Sequence, residues 1–541
     1  MTTPRLLEVF GDLVAADPEA VVLYDGQAGR APARPVTRRR LGELAGGLAE
    51  DLRACGVGEG DCVGVWLPNW SEAVAVQLAA LSVGAHVIGI NTRYNVDEVA
   101  HVLRMARPRA VLVAHDFMNL DLLRTLKAAH RAAETEPPAV LVVTAPGTQP
   151  AEPGQVAEYD LGAGAAACPR SADRGELRPH PAPGLAAAFT TSGSTGRSKL
   201  AAHDEPGVTE HVLAAGAKIG LQPGDVMLGA LPLSGVFGFS SAMAAVFAGA
   251  AVLLEPVFDA DGVVRDLVRH GVTHIVGADD LLGRIATAWE AERPRLPLKW
   301  IGIADFEGRS AELAAWAERE FGTTVAGVYG SSELFALTAF WPDGYPPEQR
   351  WTGGGQVVMP SIEVRVADPV THEELPDGRD GELQFRGPNV VNAYLGDPAV
   401  AERMFTADGW FRSGDLGRKV APGTVQYICR IGDVLRLRGF LVDPAEIELR
   451  LAAHPAVAMT KVVGVPGPGG GTIAVAFVVP HGSDRPGEDE LKQWCARTLA
   501  KFKVPARIRF IEEMPTTSGT NGTKIRAAAL RELALEETTA P

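Results

Sequence analysis

Short apolar runs alternate with stretches of helical spacing through the first 150 residues. Val21-Val-Leu-Tyr24 and Val63-Gly-Val-Trp66 read as buried strands, while Arg39 to Leu52 sets its apolar residues on one helical face. The apolar stretch Val83–Ile90, a helix over Val96–Met105 and a strand over Ala110–Ala114 continue the alternation. Such alternation predicts a mainly parallel sheet covered on both faces. Periodicity is lost from Ala145 to Pro183, an Ala-, Gly- and Pro-rich connection. Further on, Gly353–Gly355 and Gly381–Gly387 bracket short β segments that suit a small β-barrel.

The pattern changes again over 431–541. Pro444–Ala453 and Asp489–Leu499 are amphipathic helices, and Lys461–Val465, Ile473–Val479 and Arg507–Ile511 read as strands. The fold expected is therefore α/β. A large N-terminal domain of layered sheets plus a small β-barrel spans 1–430, and a small α+β domain spans 431–541. Val226 to Leu254 carries no charged residue and is long enough to be tested as a membrane span. Pro232, Gly235, Gly238 and three serines interrupt it, and its flanks Asp225 and Glu255 are acidic. It reads as strand, loop, helix and strand, all buried, with no membrane span.

Composition changes this picture little. The 541 residues are 46% hydrophobic and 22% charged, which is ordinary for a globular chain. A net charge of −15 argues against nucleic acid as a partner. Five cysteines without metal-ligand spacing suggest a reducing compartment and no disulfide framework. The first residues lack a basic-then-apolar signal, so a cytoplasmic location is expected.

Candidate chemistry centres on Phe189-Thr-Thr-Ser-Gly-Ser-Thr-Gly-Arg-Ser-Lys199. Small residues from Thr190 to Gly196 let successive backbone N–H groups turn toward one anion. Hydroxyls of Thr191, Ser192, Ser194 and Thr195 add donors, and Lys199 adds a positive charge. The apolar lead-in Leu185–Phe189 reads as a buried strand, which a plain Gly/Ser linker would not need. The Walker spacing cannot be laid on this stretch.

This loop resembles the phosphate loop of the adenylate-forming superfamily, in its acyl-CoA ligase branch, and later motifs extend the resemblance over essentially the whole chain. Val328-Tyr-Gly-Ser-Ser-Glu333 resembles the Tyr-Gly-x-Thr-Glu motif. The resemblance implies that Tyr329 stacks on adenine, Ser332 meets the α-phosphate and Glu333 binds Mg²⁺. Asp408-Gly-Trp-Phe-Arg-Ser-Gly-Asp-Leu-Gly417 is similar to a family motif whose aspartate, here Asp415, accepts both ribose hydroxyls. Ala304, Asp305 and Phe306 stand in the place of the adenine loop, and Arg430 in that of the residue steadying the ribose. Asp433 matches the hinge about which a mobile C-terminal domain turns between two half-reactions. Gly439, flanked by Arg438 and Phe440, matches the glycine that lets the pantetheine arm of coenzyme A pass.

Three departures bear on the substrate and the chemistry. Leu231-Pro-Leu-Ser-Gly-Val-Phe-Gly-Phe239 replaces the usual aromatic and His of the acid gate by Ser234 and Gly235. With Val236, Phe237 and Gly330 as further pocket residues, the lost side chains open room for a bulky hydrophobic acid. Acids stand at Asp279 and Asp280, where relatives often have Pro-Thr. The closing motif, Pro515 to Arg526, is about three residues longer than usual around its lysine, Lys524, whose charge aids attack of the carboxylate on phosphorus.

The implied activity is acid–thiol ligation with Lys524, Glu333 and Lys199 as catalytic residues. It uses a small-molecule carboxylic acid, ATP, Mg²⁺ and coenzyme A, through acyl-AMP. One alternative is an enzyme weak in adenylation that takes acyl-AMP from a separate adenylating partner. Another is a non-catalytic nucleotide- or acyl-AMP-binding protein.

Overall fold

The computed structural model describes residues 4–27, 29–115, 117–146, 177–191, 198–305, 309–369, 371–431, 435–438, 440–442, 444–467, 471–482, 486–519, 522–525 and 527–536. They fall into two compact units, the first within 1–92, 99–191 and 200–429 and the second within 93–98, 192–199 and 430–541.

Among the described residues, the first unit is organised by a seven-stranded and a 13-stranded sheet. In the smaller sheet Ala139–Val143, Ala110–Ala114, Cys62–Trp66, His86–Gly89 and Leu185–Thr191 run parallel. Lys199–Asp204 and Ala393–Tyr394 complete its edge. These strands are short, apolar and almost wholly buried, as parallel strands covered on both faces must be.

The larger sheet has a parallel half and an antiparallel half. Val21–Asp25, Ala251–Leu254, Val226–Gly229, His274–Ala278, Trp300–Ala304 and Thr324–Tyr329 form the parallel part. From Thr324–Tyr329 outward the strands Ala339–Phe340, Gly354–Val357, Thr424–Arg430, Phe411–Ala421, Gly381–Arg386 and Glu363–Ala367 continue the same sheet. The segments expected as a small barrel are thus an antiparallel extension, sharing hydrogen bonds with the parallel core. The charge-free stretch reads as expected: strand Val226–Gly229, helix Val236–Phe247 and strand Ala251–Leu254. Among the described residues no helix is long and apolar enough to cross a membrane.

One helix, Ser71–Val83, is buried at every one of its 13 positions. Its start is tied to the neighbouring strand, because Asp25 accepts from the Ser71 backbone N–H at 2.8 Å and from its hydroxyl at 2.9 Å. Burial pushes the Asp25 carboxyl up to about 6 despite those donors.

The second unit holds a five-stranded sheet around Thr472–Pro480, flanked by Val457–Pro466, Leu435–Leu437 and Arg507–Phe510. Helices Pro444–Ala452 and Glu488–Ala496 cover it through Ile447, Leu451, Leu491 and Cys495. The second helix ends three residues earlier than its apolar pattern suggests, and the strand at 457–466 is twice the expected length. The segment read as a lengthened loop contains a strand pair, Thr516–Gly519 with Gly522–Ile525, in which Lys524 lies opposite Thr517. Cys62 and Cys495 are buried free thiols, but Cys55 is disulfide-bonded, so the chain is not without such bonds.

Candidate active site

The site residues of the first unit gather where the two sheets present the C-terminal ends of their parallel strands. Thr191 closes the strand Leu185–Thr191, and its hydroxyl donates to Glu333 Oε1 at 3.0 Å. Glu333 is only 6% exposed. Its backbone is fixed too, since the Val391 N–H donates to the Glu333 carbonyl at 2.7 Å. A neutral hydroxyl neither neutralises the carboxylate nor uses up its acceptor capacity. A pair of hard carboxyl oxygens is therefore held at this point.

Tyr329 ends the last parallel strand and reaches into the antiparallel half. Its hydroxyl donates to Asp415 Oδ2 at 2.8 Å, and its ring stacks on Phe385 with centroids 5.7 Å apart. Tyr427 tilts against the same ring at 5.8 Å. Asp415 is 4% exposed, in the strand Phe411–Ala421 where its register against Gly381–Arg386 shifts and Gly414 takes a left-handed φ of 70°. The Asp415 N–H donates to the Ser413 hydroxyl at 3.0 Å. The lead-in of this motif is braced from outside. Arg365 bonds Asp408 at 2.7 Å, holding its carboxyl down at about 2, and Trp410 lies between Arg365 and Arg386, 4.7 Å from each.

The gate turn is built differently. Gly235 N–H donates to the Pro232 carbonyl at 3.0 Å and caps the helix Val236–Phe247. Val236 is buried, while Ser234 and Phe237 are half-buried. A Cβ on Gly89 would lie 2.5 Å from Ser234 Cα, so the end of strand His86–Gly89 and the gate turn touch backbone to backbone. Asn69 ties the turn down: its amide donates to the carbonyls of Gly229 and Leu231 and accepts from the Leu233 N–H, each at 2.9 Å. Gly330 is exposed, and a Cβ there would meet Ala336 Cα at 2.7 Å.

Other expected residues have different surroundings. Ala304 is buried at the end of its strand. Asp305 accepts from the Ser310 N–H at 3.3 Å, and burial together with neighbouring Asp279 holds its carboxyl above the usual range. Lys199 is half-buried at the start of Lys199–Asp204. Ser332 is half-buried, and its carbonyl faces His203. In the second unit, Arg438 occupies an exposed turn with φ 51°. Phe440, expected beside coenzyme A, stacks on Phe502 at 4.2 Å against that unit's core. Ser192, Gly193, Ser194, Thr195, Gly196, Phe306, Asp433 and Gly439 lie outside the described residues, as do the side chains of Arg430 and Lys524. Sequence reasoning passed over Asn69 and His203. The single polar residue between Pro68 and Trp70 is the one trace of the former.

A family model described as AMP-binding enzyme matches residues 12–395, and one described as AMP-binding enzyme C-terminal domain matches 446–520. The chain belongs to the AMP-binding enzyme family. The resemblance carried by the phosphate loop and the later motifs is borne out, with the mixed α/β fold it implied.

Within this family the chain is 29% identical to a 3-[(3aS,4S,7aS)-7a-methyl-1,5-dioxo-octahydro-1H-inden-4-yl]propanoyl:CoA ligase of Rhodococcus jostii, over 95% of this chain and 96% of that one. It is 27% identical to a sulfoacetate–CoA ligase of Cupriavidus necator, over 95% and 96%. Among solved structures, the amide bond synthetase McbA from Marinactinospora thermotolerans superposes with a TM-score of 0.80 at 25% identity, covering 98% of this chain and 99% of that one.

Proposed function

We propose that the chain is a cytoplasmic acyl-CoA ligase that activates a bulky hydrophobic carboxylic acid as acyl-AMP and passes the acyl group to coenzyme A. The observation that carries the substrate reading is the gate, where Ser234 and Gly235 stand in place of the family's aromatic and His, with Gly330 a further exposed position without a side chain. The Rhodococcus jostii relative, named for a bicyclic propanoyl substrate, supports the same size class.

Residues 1–430 would form the nucleotide and acyl domain and 431–541 the mobile domain. Thr191 to Gly196 with Lys199 would cradle the phosphates of ATP, Ser332 would donate to the α-phosphate, and Asp415 would accept the ribose hydroxyls. Tyr329, Ala304, Asp305 and Phe306 would border adenine, and Arg430 would steady the ribose. Ser234, Gly235, Val236, Phe237 and Gly330 would line the acid pocket. Asp433 would serve as hinge, Arg438, Gly439 and Phe440 would meet coenzyme A, and Lys524 would bridge carboxylate and phosphate. Glu333, a buried carboxylate held by a neutral donor, suits Mg²⁺, which would draw charge from the phosphates when bound.

The test is ATP–pyrophosphate exchange with bicyclic and aryl acids against acetate and sulfoacetate, run beside thioester formation from synthetic acyl-AMP and coenzyme A. Exchange led by the bulky acids supports the reading, and preference for acetate or sulfoacetate would remove it. A second reading is favoured by the strand pair that carries Lys524 in a longer segment than the family's. In it, a partner supplies acyl-AMP, and thioester forms without exchange. Thioester from neither substrate, with tight nucleotide binding, would leave a binding protein. An amine offered in place of coenzyme A tests the chemistry named for the structural neighbour McbA.

A further inference from the structure

Two strands flank the phosphate-loop stretch, and each sends a side chain to the Ser332-Glu333 pair. From Leu185–Thr191, Thr191 reaches the Glu333 carboxylate. From Lys199–Asp204, His203 Nε2 lies 2.7 Å from the Ser332 carbonyl oxygen. A carbonyl only accepts, so Nε2 carries the proton and donates. Nδ1 is then a bare lone pair, buried without a hydrogen-bond partner among the described residues. Burial pulls the imidazole down to about 4, so the ring stays neutral with its single proton on Nε2.

An unpaired buried nitrogen is costly, and an apolar ring of the same shape would avoid that cost. The surroundings already favour such a ring. His203 packs edge-on to Phe335 at 5.0 Å and near Phe189 at 6.4 Å. What an apolar ring would lack is the bond to Ser332. Just after Glu333 the chain passes through three buried non-glycine residues in the left-handed region, Phe335, Ala336 and Leu337, with φ of 62°, 50° and 38°. Such a run persists only where neighbours impose it. Val391 holds Glu333 and Asn389 holds Leu334 from one side, by 2.7 and 2.9 Å bonds to their carbonyls. His203 is the tie from the strand that leaves the phosphate-loop stretch.

We propose that His203 is a positioning residue for adenylation. By holding the Ser332 carbonyl, it keeps the Glu333 carboxylate in register with the strands that bear the phosphate loop. It acts through Ser332 and Glu333 and touches neither acid nor nucleotide. The inference rests on the ligase reading, which gives Glu333 its metal role.

Two substitutions separate the hydrogen bond from the packing. His203→Phe keeps a flat ring among Phe189 and Phe335 but has no donor. His203→Gln loses the ring and keeps an N–H of similar reach. The full chain is measured for MgATP affinity by calorimetry, Mg²⁺ dependence and kcat of pyrophosphate exchange, thioester formation from synthetic acyl-AMP, and Tm. Expected is a loss of about ten- to a hundredfold in exchange for His203→Phe, with a higher Mg²⁺ requirement and unchanged thioester formation. His203→Gln should stay within about threefold of the parent.

Phe near the parent and Gln impaired would make His203 a packing residue and overturn the proposal. Equal loss in both half-reactions, or loss that follows Tm, overturns it too. If the parent itself exchanges no pyrophosphate with any acid, the ligase reading fails separately, and MgATP affinity alone decides. Weaker binding by the Phe variant, restored by Gln, supports the positioning role, and equal binding removes it.

Discussion

The residues around Glu333 and Asp415 and the gate turn around Ser234 both belong to the first unit, and they are held by opposite means. At the cluster, buried charged side chains are each tied to a named partner: Glu333 to Thr191, Asp415 to Tyr329. At the gate, among the described residues, the hydrogen bonds to the turn come from backbone and from a neutral side chain. The turn is fixed by backbone contact at Gly89 and by one neutral amide, Asn69. A buried carboxylate is expensive unless it is used, so the cluster reads as chemistry that admits little change. A turn defined by close backbone leaves its side chains free to vary, so under the proposed function the gate would be the place where specificity is set.

The sharpest way to break this contrast is Glu333→Gln, which keeps shape and removes charge. Exchange activity should fall about 100- to 1000-fold with Tm nearly unchanged. A loss of only a few-fold would mean that Glu333 is structural. Asp415→Asn comes next. It leaves an oxygen for the Tyr329 hydroxyl but removes a charged acceptor, and KM for ATP should rise about 10- to 100-fold with KM for the acid little changed.

At the gate the effects should be smaller and of another kind. Ser234→Phe refills the space lost from the family pattern. It should shift the ratio of kcat/KM between a bicyclic acid and acetate by about tenfold toward acetate, while KM for ATP holds. An equal fall for both acids would show that Ser234 does not border the acid. Asn69→Ala takes the amide from the Leu231 carbonyl and the Leu233 N–H, while the Gly229 carbonyl keeps the Glu255 N–H, and it should cost about 1–3 kcal/mol of stability in denaturant unfolding. The acid KM should move with it and the ATP KM should not. If the ATP KM moves equally, the two regions are one mechanical unit and the contrast fails.

How much of this was legible in the sequence follows the same division. The residue types that carry charge at the cluster stand in contiguous motifs, so Tyr329, Glu333 and Asp415 could be picked out by eye. Their pairing could not, because Thr191 and Glu333 are 142 positions apart and meet only through the sheet order. Asn69 and His203 were missed for a related reason: each acts on backbone groups far along the chain, and neither stands within a motif. The strands were legible because parallel strands buried on both faces are short apolar runs. The helix Ser71–Val83 was not, because burial all round erases the rhythm by which helices are recognised. The antiparallel half was taken for a separate barrel because glycine spacing marks strand ends but says nothing of which strands pair.

That same helix has an evolutionary consequence. A segment with no solvent face offers drift no neutral positions, so its sequence can change only in step with the strands and helices around it. It begins two residues after Asn69, the residue that ties down the gate turn. Diversification of the acid would therefore proceed on the open side of the turn, at Ser234 and Phe237. The helix behind Asn69 would remain as an inherited backstop, much the same whichever acid the pocket came to accept.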